Sequence, residues 1–129
     1  MSDPSLPLQA AIVAALKALN TDAGTRVYSV VPPTFQYPYI TVWPGFVTPV
    51  DEECWDRSEV THQIDVWADT ATYLKSKEIA SAIRSGLHEK TLVVVGHVVD
   101  RIRVETITYS DDPPIYRARL SLTTDTQPA

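Results

Sequence analysis

The sequence predicts an α+β fold, in which two amphipathic helices pack on one face of a mainly antiparallel sheet that ends in a long C-terminal β-hairpin. Apolar residues recur at helical spacing near the amino end and again in the middle of the chain. Alternating or apolar segments bounded by turn residues fill most of the remaining sequence and predict strands. Because short polar turns join most of these strands, we expect antiparallel pairing and a two-layer arrangement.

Two helices are predicted from their apolar stripes. The first stripe consists of Leu8, Ile12, Leu16 and Leu19, with Ser5 as the candidate N-cap and a stop at 20–24. The second helix spans about 70–88, and its apolar arc consists of Tyr73, Ile79, Ala80, Ile83 and Leu87. Leu74 lies on the polar arc of this helix, where an apolar side chain is a small hint of a contact surface.

Strands are predicted from alternation and from flanking proline, glycine and aspartate. The segments are 26–31, 39–43, 46–50, 59–68, 92–95, 97–109 and 115–123. Within 59–68, Val60, Ile64, Val66 and Ala68 face one way, and His62 shares that side. Loops at 51–56 and 110–114 and a frayed polar tail at 124–129 complete the prediction.

We expect a single domain over residues 1–129, with 1–4 and 124–129 flexible. The chain is 44% hydrophobic and 21% charged, as expected for a folded domain with its own core. Its one cysteine, Cys54, cannot form an intrachain disulfide, and we expect neither a signal peptide nor a membrane span. The net charge of −5 argues against general DNA binding.

Motifs for catalysis or cofactor binding are missing from the sequence. There is no nucleophile elbow, C-x-x-C pair, dinucleotide fingerprint or P-loop. Cys54 lies among carboxylates that disfavour its thiolate, and its spacing to His62 and Asp65 matches no metal-ligand pattern. The acidic segment 51–56 lacks the alternation and central glycine of a calcium-binding loop. We expect no enzyme activity, no cofactor and no metal.

Four arginines of the predicted hairpin should gather on one surface. They are Arg101, Arg103, Arg117 and Arg119, and the opposite side carries Val98, Ile102 and Val104 together with an apolar row on the partner strand. One interpretation is cross-strand pairing with Glu105 and Asp65. The other is a protein–protein interface, because the planar guanidinium group binds carboxylates in a bidentate manner.

The acidic segment DEECWD is the natural counterpart of these arginines. Its charges are Asp51, Glu52, Glu53 and Asp56, and they either dock to arginines of a neighbouring copy or line a pore and repel DNA. Trp55 is the best candidate for an interface anchor, whereas Trp43 and Trp67 are expected to be core or loop-packing residues. Opposite patches at two sites make a heterologous contact, which can close into a ring.

Short motifs in a fixed order cover nearly the whole chain. They are DPSL at 3–6, GTRVY at 24–28, VPP at 31–33, YPYIT at 37–41, SEVT at 58–61, VW at 66–67, KEIA at 77–80, AI at 82–83, LH at 87–88 and the run 92–97. Together they resemble a phage tail completion (tail terminator, head–tail joining) family, which also occurs in prophages and gene-transfer agents.

The resemblance implies a structural virion protein of the tail or neck, assembled in the host cytoplasm and without catalytic activity. It implies a hexameric ring that caps the tail tube protein and then docks to the stopper or connector protein. DNA would pass through the pore without specific binding, and no membrane is involved. The alternatives are another neck or tail component, such as a stopper or tube-like subunit, and an α+β domain that binds a small ligand.

Overall fold

The computed structural model describes residues 3–52 and 55–129, without the side chains of 51, 52, 55 and 56. Within these ranges, the helices are α1 (Ser5–Ala18) and α2 (Tyr73–Leu87). The strands are β1 (Val27–Tyr28), β2 (Tyr39–Val42), β3 (Phe46–Glu52), β4 (Trp55–Asp69), β5 (His97–Asp112) and β6 (Ile115–Pro128). No helix in the described ranges is long and apolar enough to cross a membrane.

The six strands form one sheet, in which five follow the order β1-β2-β4-β6-β5. The sixth, β3, pairs with residues 55–61 of β4, on the same edge on which β2 pairs with residues 64–67. Every pairing is antiparallel except that of β1 with β2. Both helices contribute to a single core on one side of this sheet, so the predicted α+β class with a C-terminal hairpin is confirmed. The long β4 and β6 lie at the centre, where each has a neighbour on both sides.

The core confirms the periodicities of the sequence. The stripe of α1 buries Leu8, Ile12 and Leu16 completely. The stripe of α2 buries Ile79, Ala80, Ile83 and Leu87. On β4, every second residue from Ser58 to Ala68 is buried, and the matching row on β6 contains Ala118, Leu120 and Leu122. Aliphatic side chains from four elements therefore share one apolar layer, whose burial is the main favourable contribution to folding.

The helices begin differently from the prediction. Ser5 is not the N-cap of α1, because its own backbone N–H donates to Asp3 Oδ1 at 2.8 Å and Pro4 occupies the cap position. This hydrogen bond lowers the pKa of the Asp3 carboxyl. Before α2, the Thr72 hydroxyl and backbone N–H both donate to Asp69 Oδ1, so a turn precedes the helix and α2 starts at Tyr73.

The C-terminal hairpin is longer than predicted. The expected loop at 110–114 shrinks to Pro113 and Pro114, since 110–112 belong to β5. The prediction that the chain frays from residue 124 is wrong for 124–128, because these residues continue β6: 124–126 pair with both β4 and β5, and 127–128 pair with β5 alone. Thr124 and Thr126 are buried in this stretch. The polar composition of this stretch suggested a tail, but its backbone hydrogen bonds to neighbouring strands hold it in the sheet.

Two bulges interrupt β5, between Val99 and Arg101 and between Val104 and Thr106. Each inserts one extra residue and so reverses the alternation of side chains beyond it. As a result, Val99 packs against the core and Val98 is exposed, contrary to the prediction that Val98 would join Ile102 and Val104. Ile102 and Val104 are buried as expected.

Two further predicted strands are shorter or absent. The segment 92–95 forms only an isolated bridge from Val94 to His97, with Val94 buried and its neighbours Val93 and Val95 exposed. A short apolar run does not distinguish a strand from a loop that inserts one side chain into the core. The predicted strand at 26–31 is reduced to the two residues of β1.

Candidate interface on the open face of the sheet

The sheet has a second face, turned away from both helices, which we call the open face. Cross-strand register places side chains there in two adjacent rows. The first row runs Tyr39, Trp67, Arg117 and Ser110 across β2, β4, β6 and β5. The second row runs Thr41, Asp65, Arg119 and Thr108. Cationic and aromatic groups from distant parts of the sequence thus lie side by side.

A buried carboxylate organises the second row. Asp65 is fully buried, and its Oδ1 accepts from Arg119 Nε at 2.9 Å. Its Oδ2 accepts from Arg119 Nη2 at 3.2 Å and from Trp43 Nε1 at 2.6 Å. Hydrogen bonding to Asp65 raises the pKa of Arg119, so this guanidinium stays charged. The bidentate pair compensates the buried charge and fixes Trp43, which makes it a structural element.

The first row is a stack of rings with a cation at its end. Trp67 stacks on Tyr39 with 6.3 Å between the ring centroids, and its Nε1 donates to Thr41 Oγ1 at 2.9 Å. The guanidinium of Arg117 lies 5.6 Å from the Trp67 ring centroid, in a cation–π arrangement. Among the described residues no carboxylate pairs with Arg117, and its buried Nε has no hydrogen-bond acceptor.

Beside this stack lies a depression that we call the aromatic groove, lined mainly by Val30, Val31, Tyr39, Trp43 and Trp67. Its volume is about 340 Å³. Val30 is 85% exposed and Trp43 is 46% exposed, so the groove presents apolar surface to solvent. Sequence reasoning missed it by treating Trp43 and Trp67 as packing residues. The alternation of Tyr39, Thr41 and Trp43 was the available signal, because it places both aromatic rings on one side.

A broader depression of about 580 Å³ lies next to it, between Phe46, Thr108 and Arg119. His62 lies beneath it in the core and is almost fully buried, and neither ring nitrogen has a partner in the described part of the chain. Burial lowers the pKa of His62. No three potential metal ligands cluster among the described residues.

The four predicted arginines have different surroundings. Arg119 pairs with Asp65, and Arg103 lies 3.4 Å from Asp125, 3.6 Å from Glu105 and 3.9 Å from Glu59. The contact between Arg119 and Asp65 is the cross-strand pairing that the sequence offered as one of two interpretations, whereas Glu105 lies on the same strand as Arg103. Arg101 pairs with Glu89 at 2.6 Å, in the turn after α2. Arg117 is the one of the four without a carboxylate partner in the described residues.

The remaining predicted residues lie elsewhere. Leu74 is 71% exposed in the first turn of α2, and therefore belongs to the helical layer. The predicted acidic loop is largely strand, since Asp51 pairs with Asp56 and Glu52 pairs with Trp55 at the end of the β3–β4 hairpin. Glu53 and Cys54 lie outside the described residues.

One sheet, with a helical layer on one face and paired charges, stacked rings and an apolar groove on the other, defines a small α+β protein whose open face is a candidate interface. The sequence model of the family described as "Tail completion protein gp17" matches residues 10–125. The chain belongs to this family, which confirms the resemblance seen in the sequence. It is therefore a structural protein of phage-type tails.

The fold recurs in a solved structure. A chain of the virion of a native gene transfer agent particle superposes with a TM-score of 0.83 at 21% sequence identity. The match covers 98% of this chain and 99% of that chain. The whole domain therefore has a counterpart with the same architecture. No curated protein matches the sequence.

Proposed function

We propose that this protein is a tail terminator, which forms a ring on the end of the tail tube and joins the tail to the stopper or connector on the head side. The family match over residues 10–125 is the observation that carries this proposal. The fold shared with a chain of a gene transfer agent virion supports it. No reaction is needed, because the protein acts by presenting surfaces.

Self-association into a ring is favoured by two unlike surfaces on one molecule. The open face carries Arg117 and the aromatic groove. The end of the β3–β4 hairpin carries the sequence DEECWD. Trp55 and Trp67 are both on β4 and twelve residues apart, which corresponds to about 40 Å of extended strand. Contacts between two unlike, distant surfaces are heterologous, and they close into rings when the rotation permits. A hexamer is the ring size that the family resemblance implies.

Such a ring would have three kinds of neighbour: its own copies, the tail tube protein below it and the stopper or connector above it. DNA would cross the pore without specific binding. The net charge of −5 supports this, because like-charge repulsion keeps a polyanion from adhering to the wall. Assembly would take place in the host cytoplasm, and the protein would remain in the tail or neck of the particle.

Mixing the purified protein with isolated tail tubes tests this proposal. Negative-stain images should show a ring at one end of each tube, and tube ends carrying it should stop growing when free tube protein is added. Native mass spectrometry should give a hexamer on the tubes or in solution. Polymerisation into tubes would instead identify a tube-like subunit, and binding only to portal-bearing heads would identify a stopper. A strictly monomeric protein beside tubes would exclude both the ring and the capping role.

A further inference from the structure

We infer that the aromatic groove is the receiving surface for residues 51–56 of a second copy of this chain, with Trp55 as the anchor and the flanking carboxylates facing Arg117. This inference rests on the proposed ring, because it names the two surfaces that meet in it. It joins the groove of one copy to the end of the β3–β4 hairpin of another.

The receiving surface is apolar where a ring would insert and cationic at its border. Tyr39, Trp43 and Trp67 supply aromatic walls, and Val30 supplies an exposed aliphatic rim. A volume of about 340 Å³ lies at the lower end of the range for binding pockets, roughly 300–1,000 Å³, which suits one large side chain. Aromatic anchors in such pockets contribute much of the energy of protein–protein interfaces.

The positive charge of Arg117, at the border of the groove, can pair with a carboxylate from another molecule. Asp65, the carboxylate nearest to the groove in the open-face rows, is already engaged by Arg119 and Trp43. Arg117 lies over Trp67 without a carboxylate partner in the described residues. Its planar guanidinium is suited to a bidentate carboxylate pair. A ligand with an aromatic ring next to acidic groups would therefore satisfy both the groove and Arg117.

Residues 51–56 have this composition. The segment DEECWD places Trp55 directly before Asp56 and two positions after Glu53. Its described residues lie at the end of the β3–β4 hairpin, where β4 pairs with β6 only from Ser58 onward. The hairpin end therefore extends past the central sheet pairing. The complementarity between this end and the groove identifies the occupant as another copy of the chain.

The contact must be between copies. Trp55 and Trp67 lie on the same strand, twelve residues apart, so about 40 Å of rigid extended chain separates the hairpin end from its own groove. Each copy then offers one groove and one hairpin end, which is the heterologous arrangement that a ring requires.

The single cysteine of the chain, Cys54, allows a direct test. Val30→Cys places a second thiol on the exposed rim of the groove. Mild oxidation of the assembled protein should then give a ladder of disulfide-linked dimers and larger products up to the closed ring. The matched control is Val93→Cys, because Val93 is as exposed as Val30 and lies outside the groove. It should give less than one tenth of the ladder yield. Equal yields from the two variants, or no ladder from Val30→Cys in protein that forms rings, would overturn the inference.

Mixing two damaged variants gives a second readout. Val30→Glu blocks the groove, and Trp55→Ala removes the anchor. Each variant alone should lose at least tenfold in ring yield and keep the circular dichroism spectrum of the wild type. A one-to-one mixture retains one intact groove and one intact hairpin end per pair, so it should give two-copy species and no rings. Rings formed by either variant alone would contradict the contact and leave the terminator role standing, whereas a wild-type protein that never self-associates would overturn both.

Discussion

The two faces of β4 differ although the residues alternate along one strand. Val60, Ile64 and Val66 point into the layer beneath the helices, where aliphatic side chains of the same molecule surround them. Asp65 and Trp67 point to the open face, where they hold arginines from β6. The covered face is complete within one chain. The open face combines a hydrogen-bonded carboxylate, Asp65, with the exposed side chains of Trp43 and Val30, as the proposed interface requires.

The largest fall in the free energy of unfolding is expected from a substitution that creates a cavity beneath the covered face. Ile64→Ala removes a fully buried side chain from the core beneath the helices. We expect the free energy of unfolding to fall by about 2–5 kcal/mol. The removed side-chain atoms no longer gain from burial, and the cavity left behind adds a further loss. Urea denaturation measures this loss through the midpoint at constant slope. A loss under about 1 kcal/mol would show that the covered face is not the stabilising one.

The adjacent residue tests the open face. Asp65→Ala leaves Trp43 Nε1 without its acceptor and Arg119 without its bidentate partner. Because the Arg119 side chain keeps access to solvent, we expect a smaller loss of about 1–3 kcal/mol. The same urea experiment compares the two variants directly. If Asp65→Ala cost more than Ile64→Ala, the open face would be the more important for folding, and the contrast between the faces would be reversed.

His62 gives the covered face a pH dependence. Burial lowers its pKa in the folded state below the usual value of about 6.5, so the unfolded chain binds protons more readily. The contribution of neutral His62 is therefore complete above about pH 6.5 and is lost as the pH falls below that value. His62→Leu should remove the decline in stability as the pH falls below about 6.5, measured by urea denaturation at each pH. An unchanged slope in the variant would assign the dependence to another group.

Substitution of the two β6 arginines should separate folding from assembly. Arg117→Gln removes a cation over Trp67 and should change the free energy of unfolding by no more than about 1 kcal/mol. Arg119→Gln should cost more, because it breaks the pair with buried Asp65. Ring yield on tail tubes should nevertheless fall more for Arg117→Gln, measured by native mass spectrometry on folded protein. A full ring yield from Arg117→Gln would remove this residue from the interface.

The smallest effect is expected at the edge of the sheet. Arg101→Ala breaks an ion pair with Glu89 in which both side chains are about half exposed. Exposed pairs contribute roughly 0–1 kcal/mol, so thermal unfolding should shift only slightly. A larger shift would mean that this edge supports the fold more than its exposure suggests.

Most buried residues of the covered face could be predicted, because the sequence of each helix or strand alone shows which of its residues are buried. The stripes of α1 and α2 and the alternation of β4 each require only a local window of sequence. The bulges of β5 and the strand character of 124–128 were not predictable in this way. The position of β6 between two other strands decides whether Thr124 and Thr126 are buried, and no local pattern encodes that order.

The open face was predictable only in part for the same reason. The arginines on the hairpin followed from alternation, and pairing with Asp65 was one of two interpretations. The aromatic groove was missed because it combines β2 and β4 with residues 29–31, which fold beside them without being a strand. Its formation depends on contacts of Trp67 with residues that lie 24 to 38 positions earlier in the sequence.

The bulges in β5 affect how readily a further strand can pair with this edge of the sheet. A regular outer strand of sixteen residues would expose a row of unpaired backbone N–H and C=O groups. Strands of other chains could pair with these groups and extend the sheet into fibres. The two bulges break the regular spacing of these backbone groups, and the charged side chains at the bulges further disfavour pairing with another strand. These side chains are Asp100, Arg101 and Glu105. The two bulges therefore disfavour edge-to-edge pairing between copies of the protein through β5.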